Sequence, residues 1–351
     1  MSSPYVNVKT DLLMLDSEAA FAGLSEKEKL YAFYLYSASN LAAPIVARQR
    51  SAESFDIIKL FSLFFVSLTA DKQADKQAAE AAISRLPAEM LVYVSQLFYN
   101  HSNYMGFGDC KFIPQLAEAE MEAVLSQSAV WGSYLQPLWL KVKDAMYSYQ
   151  PQDRQIGCYP DGRNNYYSAD MTKEEAEAEA VSTGDMSPYN TRIFRIGNKV
   201  ITDNNSDDSV VDNNDSNSKK NKYAVYVASV DSGHGSLSVP FSVGADGKLV
   251  EDDKIHPTFI YGDHSEYLAH TVANLKQAIN YASNDNQVKM LQSYIEAFQT
   301  GSTDAHIEGS KFWVQDKSPS VESYIGFIES YGDPLGVRGV SAAKGRFCGC
   351  G

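Results

Sequence analysis

Between residue 25 and about residue 149, apolar side chains recur at three- and four-residue intervals, the period of helices that bury one face. In "SEKEKLYAFYLYSASNLA", Ser25 and Glu28 stand in capping-box spacing, and Leu30, Phe33, Tyr34 and Ser37 follow at helical intervals. The run at 54–69 repeats the pattern. "DKQADKQAAEAAISRL" sets Ile83 and Leu86 on an apolar side, and "PAEMLVYVSQLFYNHSNY" opens on Pro87, which a first helical turn tolerates. Residues 115–148 predict one or two more helices and carry Trp131 and Trp139.

From about residue 150 Gly and Pro appear, and "GCYPDGRNNYYSAD" is rich in turn signals. Thr172 and Glu175 open a short helix with a second capping box. "YNTRIFRIGNKVIT" predicts a strand broken at Gly197–Asn198, and "KYAVYVASV" predicts another. Helices are expected at about 264–282 and 285–299, followed by extended chain through "AHIEGSKFWVQDKSPSVESYIGFIESY". These patterns give an α+β fold: a mainly helical subdomain at 1–150 and a mixed subdomain at 151–340 around a mostly antiparallel β core. Within the second, 203–221 is polar, low in complexity and without aromatics, so it is expected to be a disordered insert in a hairpin. Its Asp and Asn residues lack the EF-hand pattern.

Composition narrows the chemistry. The net charge is −14 over 351 residues and no Lys/Arg-rich run opposes it, which argues against nucleic acid and anionic membrane as partners. "IIKLFSLFFVSL" (57–68) is too short to span a bilayer and contains Lys59. No basic, apolar leader opens the chain, and the four cysteines form no disulfide framework, so a cytoplasmic location is expected. The six histidines (101, 234, 256, 264, 270 and 306) form no H-x-x-x-H pair, and HExxH and HExxGH are both absent. G-x-S-x-G, the Walker A loop and a strand-following GxGxxG are absent too.

What remains is "SPSVESYIGFIESYGDP" (318–334). On a strand, Glu322 and Tyr324 share a face with Gly326, while Val321, Ser323, Ile325 and Phe327 take the other and can bury. A strand glycine marks close approach of a ligand or another backbone. The pattern fits equally a sheet edge where Glu and Tyr meet water.

The segments "YVNVKTDL", "LSEKEKLYAFYL", "NHSNYMGFGDCKFIP" and "SPYNTRIF", with the long block from "SYIEAFQTGSTDAHIEGSKFW" to "IESYGDP", resemble the dipeptidyl peptidase III family in order and spacing. That resemblance implies a zinc exopeptidase that removes dipeptides from peptide N-termini, and this chain resembles its sheet-containing lobe with a β-barrel-like core. It implies that Glu322 binds the substrate's α-ammonium, a charge-assisted contact. It further implies that Tyr324 donates to the oxyanion and that the substrate main chain pairs at Ser323 by β-augmentation. Phe107 matches a phenylalanine lining the substrate cleft. The partner implied is therefore a peptide with a free N-terminus, and the sequence does not fix the oligomeric state.

The resemblance ends after "GDPLGVRG". The zinc lobe with HExxGH is not in this chain, so no zinc is expected on it, and the tail 341–351 is expected to be unrelated and disordered. Because metal-lowered water acidity is central to such a reaction, the isolated chain is expected not to hydrolyse peptides. The reading is an incomplete dipeptidyl peptidase III chain, from a truncated or misread coding sequence. The alternatives are a non-catalytic binder of peptide N-termini and a structural protein.

Overall fold

The computed structural model describes residues 4–6, 17–70, 75–181, 188–195, 199–200, 211–212, 223–236, 241–243, 249–251 and 258–347. The insert at 203–221 and the Gly197–Asn198 turn lie outside the described residues, Val211–Asp212 excepted. The chain divides into two compact units that do not follow chain order. Unit 1 joins Met1–Leu15 to Val46–Asn165, and unit 2 joins Asp16–Ile45 to Tyr166–Gly351.

The first eight helices are α1 (Glu18–Ala22), α2 (Glu26–Arg50), α3 (Ser54–Thr69), α4 (Lys76–Ile83), α5 (Ala88–Asn100), α6 (Glu118–Leu125), α7 (Gln136–Tyr147) and α8 (Lys173–Val181). Strands β1 (Thr191–Arg195), β2 (Lys199–Val200), β3 (Val211–Asp212), β4 (Tyr223–Ala228), β5 (Gly233–Ser236), β6 (Phe241–Val243), β7 (Leu249–Glu251) and β8 (Thr258–Asp263) follow. Helices α9 (Ser265–Ile279), α10 (Asp285–Thr300) and α11 (Thr303–Trp313) then lead to β9 (Val321–Glu329) and β10 (Val340–Phe347). Both capping boxes form. Ser25 N donates to Glu28 Oε2 at 2.8 Å while Glu28 N donates to Ser25 Oγ, and Thr172 and Glu175 exchange the same pair of bonds.

In unit 1 the apolar stripes predicted by the helical period meet in one core. Ile57, Leu60, Phe61 and Phe64 of α3 pack with Met90, Tyr93 and Leu97 of α5 and with the fully buried Trp139 of α7. Each such side chain contributes about 1.5–3 kcal/mol by leaving water. The indole of Trp139 is satisfied by Glu122, to which its Nε1 donates at 3.0 Å.

Unit 2 contains residues 16–45 because one stripe of α2, with Tyr31, Leu35, Ala38 and Ala42, is buried against α9 and α10. Leu268 and Leu275 of α9, Leu291 and Tyr294 of α10, and Val321 and Ile325 of β9 complete that core. The main sheet has the order β1-β4-β8-β5, with β4 and β8 parallel and the other pairs antiparallel. Arg192 on β1 grips Asp263 at the end of β8 with two bonds of 2.7 Å, a buried bidentate pair. Two-stranded sheets β2-β3, β6-β7 and β9-β10 complete the α+β architecture, and the described strands close no barrel. None of the described helices is long and apolar enough to cross a membrane.

Two stretches differ from the sequence expectation. Residues 305–313, expected to be extended, form most of α11 (Thr303–Trp313). Gly301 takes the left-handed conformation (φ 78°) that ends α10, and Ser302 at once caps α11 by accepting from Ala305 N at 3.1 Å. The tail expected to be disordered begins with β10, paired antiparallel to β9, and residues 348–351 lie outside the described residues.

Helix α11 lies close on α10 because position 309 has no side chain. A Cβ there would come within 2.5 Å of the Tyr294 ring. We predict that Gly309→Ala destabilises unit 2 by about 1–3 kcal/mol, the usual cost of overpacking. Gly132→Ala, which meets no atom within 4 Å, should stay within about 0.5 kcal/mol of the parent. Thermal unfolding of the two variants measures the difference.

Candidate functional site

Strand β9 presents two different faces, as its alternation predicts. Val321, Ser323 and Ile325 are buried, the first and last of them in the core with α2, α9 and α10. Glu322 and Tyr324 are half-buried on the opposite face, and that face meets α11. Trp313 Nε1 donates to Glu322 Oε1 at 2.6 Å, and the backbone N–H of Ser323 donates to the same oxygen at 3.1 Å. The other carboxylate oxygen accepts no protein hydrogen bond among the described residues.

The Tyr324 ring sits among three aromatic neighbours. Trp313 lies 5.0 Å away at an interplanar angle of 38°, His306 at 5.9 Å and Tyr294 at 6.5 Å, the last two edge-on. Such contacts fix a ring's orientation as well as burying its area. His306 in turn stacks on Tyr294 at 5.0 Å. Gly326 explains how the helix comes so near, since a Cβ there would lie 2.2 Å from His306 Nε2. The strand glycine therefore answers the close approach of an imidazole from the unit's own helix. His306 and Trp313 are seven residues apart, two helical turns, so one face of α11 delivers both to β9.

Burial holds the pKa of His306 below its ordinary value, the Ile325 backbone opposing the shift more weakly, and its Nε2 is buried without a hydrogen-bond partner among the described residues. Along the other side of β9, Gly345, Lys344 and Arg346 of β10 pair with Ser323, Tyr324 and Glu322 respectively. The Ser323 N–H is thus already engaged by Glu322, and a peptide pairing at Ser323 must take that donor over.

β9 ends at Glu329, which is exposed, and Tyr331 beyond it is 49% exposed. The chain then turns around Asp333, whose carboxylate accepts from the backbone N–H of Leu335, Val337 and Arg338 and from the Tyr167 hydroxyl. Arg338, fully buried, donates from Nη1 to that hydroxyl at 2.7 Å and lies over the Tyr167 ring. This network fixes the turn that returns the chain into β10.

Among the residues expected from the sequence, β9 brings Glu322, Ser323 and Tyr324 together. Phe107 belongs to unit 1, where it stands 87% exposed on the turn Gly106–Asp109. Arg50 pins that turn, donating from Nη2 to Met105 O at 2.8 Å and to Asp109 Oδ1 at 2.9 Å. Trp313, His306, Asp333 and Arg338 were not singled out beforehand. The seven-residue spacing of His306 and Trp313 would have flagged the first two had 303–313 been read as a helix. Among the described residues no group of three or more His, Cys, Asp or Glu side chains could hold a metal ion. The residues described here do not fit the zinc implied for the family.

The buried imidazole generates a pH dependence. Its pKa is lower in the folded protein than in the unfolded chain, so the contribution of the neutral ring is complete above about pH 6.5 and is lost as pH falls below that value. We expect the His306 ring resonances, followed by NMR, to titrate below those of a reference peptide. The loss of stability as pH falls below about 6.5 should shrink in His306→Asn.

Residues 138–341 match the model of Peptidase family M49. Over 328 residues the chain is 33% identical to a protein named dipeptidyl peptidase 3 from Dictyostelium discoideum, covering 93% of this chain and 42% of that one. It is 34% identical to the dipeptidyl peptidase 3 of Nematostella vectensis, covering 94% and 44%, and 34% identical to that of Homo sapiens, covering 93% and 42%. The chain thus spans less than half the length of these relatives. A solved structure of DPP III from Caldithrix abyssi aligns over 92% of this chain and 40% of its own, with a TM-score of 0.45 and 16% identity. By the family match and these relatives, the chain belongs to the dipeptidyl peptidase III family, peptidase family M49.

Proposed function

We propose that this chain is the peptide-recognition part of a dipeptidyl peptidase III enzyme, which removes dipeptides from peptide N-termini when complete. The observation that carries this reading is the 33–34% identity to dipeptidyl peptidase 3 proteins across 93–94% of the chain. In a complete enzyme, residues outside this sequence would hold the family's zinc, which would supply an activated water and an electrophile for the scissile carbonyl. HExxGH is absent from this sequence, so the remainder of such an enzyme would hold the metal. On its own this chain recognises peptide without cleaving it. A reducing cytoplasm suits its cysteine pattern.

Within the proposal, the carboxylate oxygen of Glu322 that Trp313 leaves unbonded receives the substrate's α-ammonium. Ser323 pairs with the peptide main chain, and the Tyr324 hydroxyl donates to the oxyanion. Trp313 positions Glu322 and, with His306, the Tyr324 ring.

A second assignment of roles is favoured by one observation: Glu322 and Tyr324 lie against α11, whereas Glu329 and Tyr331 repeat the Glu-x-Tyr spacing where β9 ends and are exposed. In that assignment the first pair seats α11 on the strand and the second meets the peptide.

Calorimetry with a tetrapeptide and its N-acetylated form separates the two. A charge-assisted bond of about 1.5–3 kcal/mol predicts roughly 10–100-fold weaker binding of the acetylated peptide. Loss of this discrimination in Glu322→Gln supports the first assignment, and its loss in Glu329→Gln supports the second. Equal affinity of the parent protein for both peptides removes the ammonium-anchor proposal altogether.

A further inference from the structure

Unit 2 contains a half-open cavity of about 250 Å³ between β9, the first turn of α11 and the end of α10. Phe298, Phe327, Ile328 and Ile307 give it largely apolar walls, and the hydroxyls of Thr303 and Tyr324 supply hydrogen-bonding groups. Among the described residues no Asp, Glu, Lys or Arg lines it, although the chain carries 30 basic and 44 acidic residues. An ionised group entering this space would lose water and gain no counter-charge, a cost that apolar walls cannot offset. The His306 ring beside Tyr324 is held toward its neutral form by burial.

The size also restricts the occupant. Pockets for whole drug-sized ligands run from about 300 Å³ upward, so this one suits a single side chain. Three of its walls, Tyr324, Phe327 and Ile328, belong to β9, and Gly326, whose missing side chain makes room for His306, lies on the face of Tyr324 and Ile328. Ile307 at its rim is exposed. We propose that this cavity is a specificity pocket that takes one uncharged aromatic or long aliphatic side chain of a peptide lying against β9. The inference rests on the peptide-binding reading and holds for either assignment of the ammonium anchor, because Ile328 lies between Tyr324 and Glu329.

The test has two arms. In the first, p-cresol is titrated into the whole chain and followed by the NMR methyl signals of Ile307 and Ile328, with 4-methylbenzoate as a charged control of similar size. We expect saturable shifts with p-cresol alone. Ile307→Trp at the exposed rim should weaken binding about tenfold or more without moving the thermal midpoint. Ala297→Leu, from the cavity wall, is the second variant. In the second arm, a tetrapeptide series carrying Tyr, Leu, Asp or Lys at each position is measured by calorimetry. One position should favour Tyr and Leu over Asp and Lys by about 10-fold or more, the range apolar pockets achieve, and Ile307→Trp should abolish that preference. Absence of saturable p-cresol binding, or equal binding of 4-methylbenzoate, overturns the pocket. Peptide binding without any side-chain preference also overturns it. If p-cresol binds and no peptide does, the underlying peptide reading fails, and with it the peptide as occupant.

Discussion

The imidazole of His306 occupies the space that Gly326 leaves on β9, and the local architecture follows from that contact. With any side chain at 326, the Cβ and the ring nitrogen would fall 2.2 Å apart, so α11 could not lie this near the strand. Gly309, one turn further along nearly the same face, plays the matching part toward α10, where a Cβ would strike Tyr294. Two glycines therefore let one helix be pressed between α10 and β9. Close-packed interiors transmit such constraints because they have little free volume to absorb a displaced atom.

Once α11 is seated, the rest of the face is determined. Trp313, two turns beyond His306, reaches Glu322 and gives its carboxylate one of two N–H donors, which compensates a half-buried charge. Tyr324 is enclosed by Trp313, His306 and Tyr294, so its phenol has one orientation rather than several. The same helix turn that supplies His306 and Ile307 also walls the neutral cavity. Rigid support of this kind is what a recognition strand needs if it is to present polar groups to a peptide without reorganising. The Asp333–Tyr167–Arg338 network does the same for the end of the strand, fixing the turn into β10.

Much of this was legible in the chain itself. Ser25–Glu28 and Thr172–Glu175 mark helix starts through local bonds that need no tertiary partner, and both form. The period-two alternation assigned Val321, Ser323, Ile325 and Phe327 to the buried side; the first three are buried and Phe327 is half-buried. Helix α11 was misread because its aromatic end, "KFWV", has strand character and its decisive signal is a cap. That cap depends on Gly301 taking a left-handed conformation, which a sequence suggests but does not require. The sequence offered for Gly326 the close approach of a ligand or another backbone, or equally a sheet edge open to water, whereas the approaching group is a side chain, His306, from 20 positions earlier in the chain. The grouping of 16–45 with 166–351 depends on which helices α2 meets, and amphipathic periodicity specifies a buried face without naming its partner.

The central claim is that the His306–Gly326 contact holds α11 and β9 together as one element. Hydrogen–deuterium exchange across 303–313 and 321–329 tests it most directly. The account predicts that Gly326→Ala speeds exchange in both segments together by about tenfold or more, equivalent to at least ~1.4 kcal/mol of local stability. It also predicts that adding His306→Ala to that variant returns both segments toward the parent rate. Unchanged exchange in Gly326→Ala, or acceleration that the second substitution fails to relieve, would contradict it.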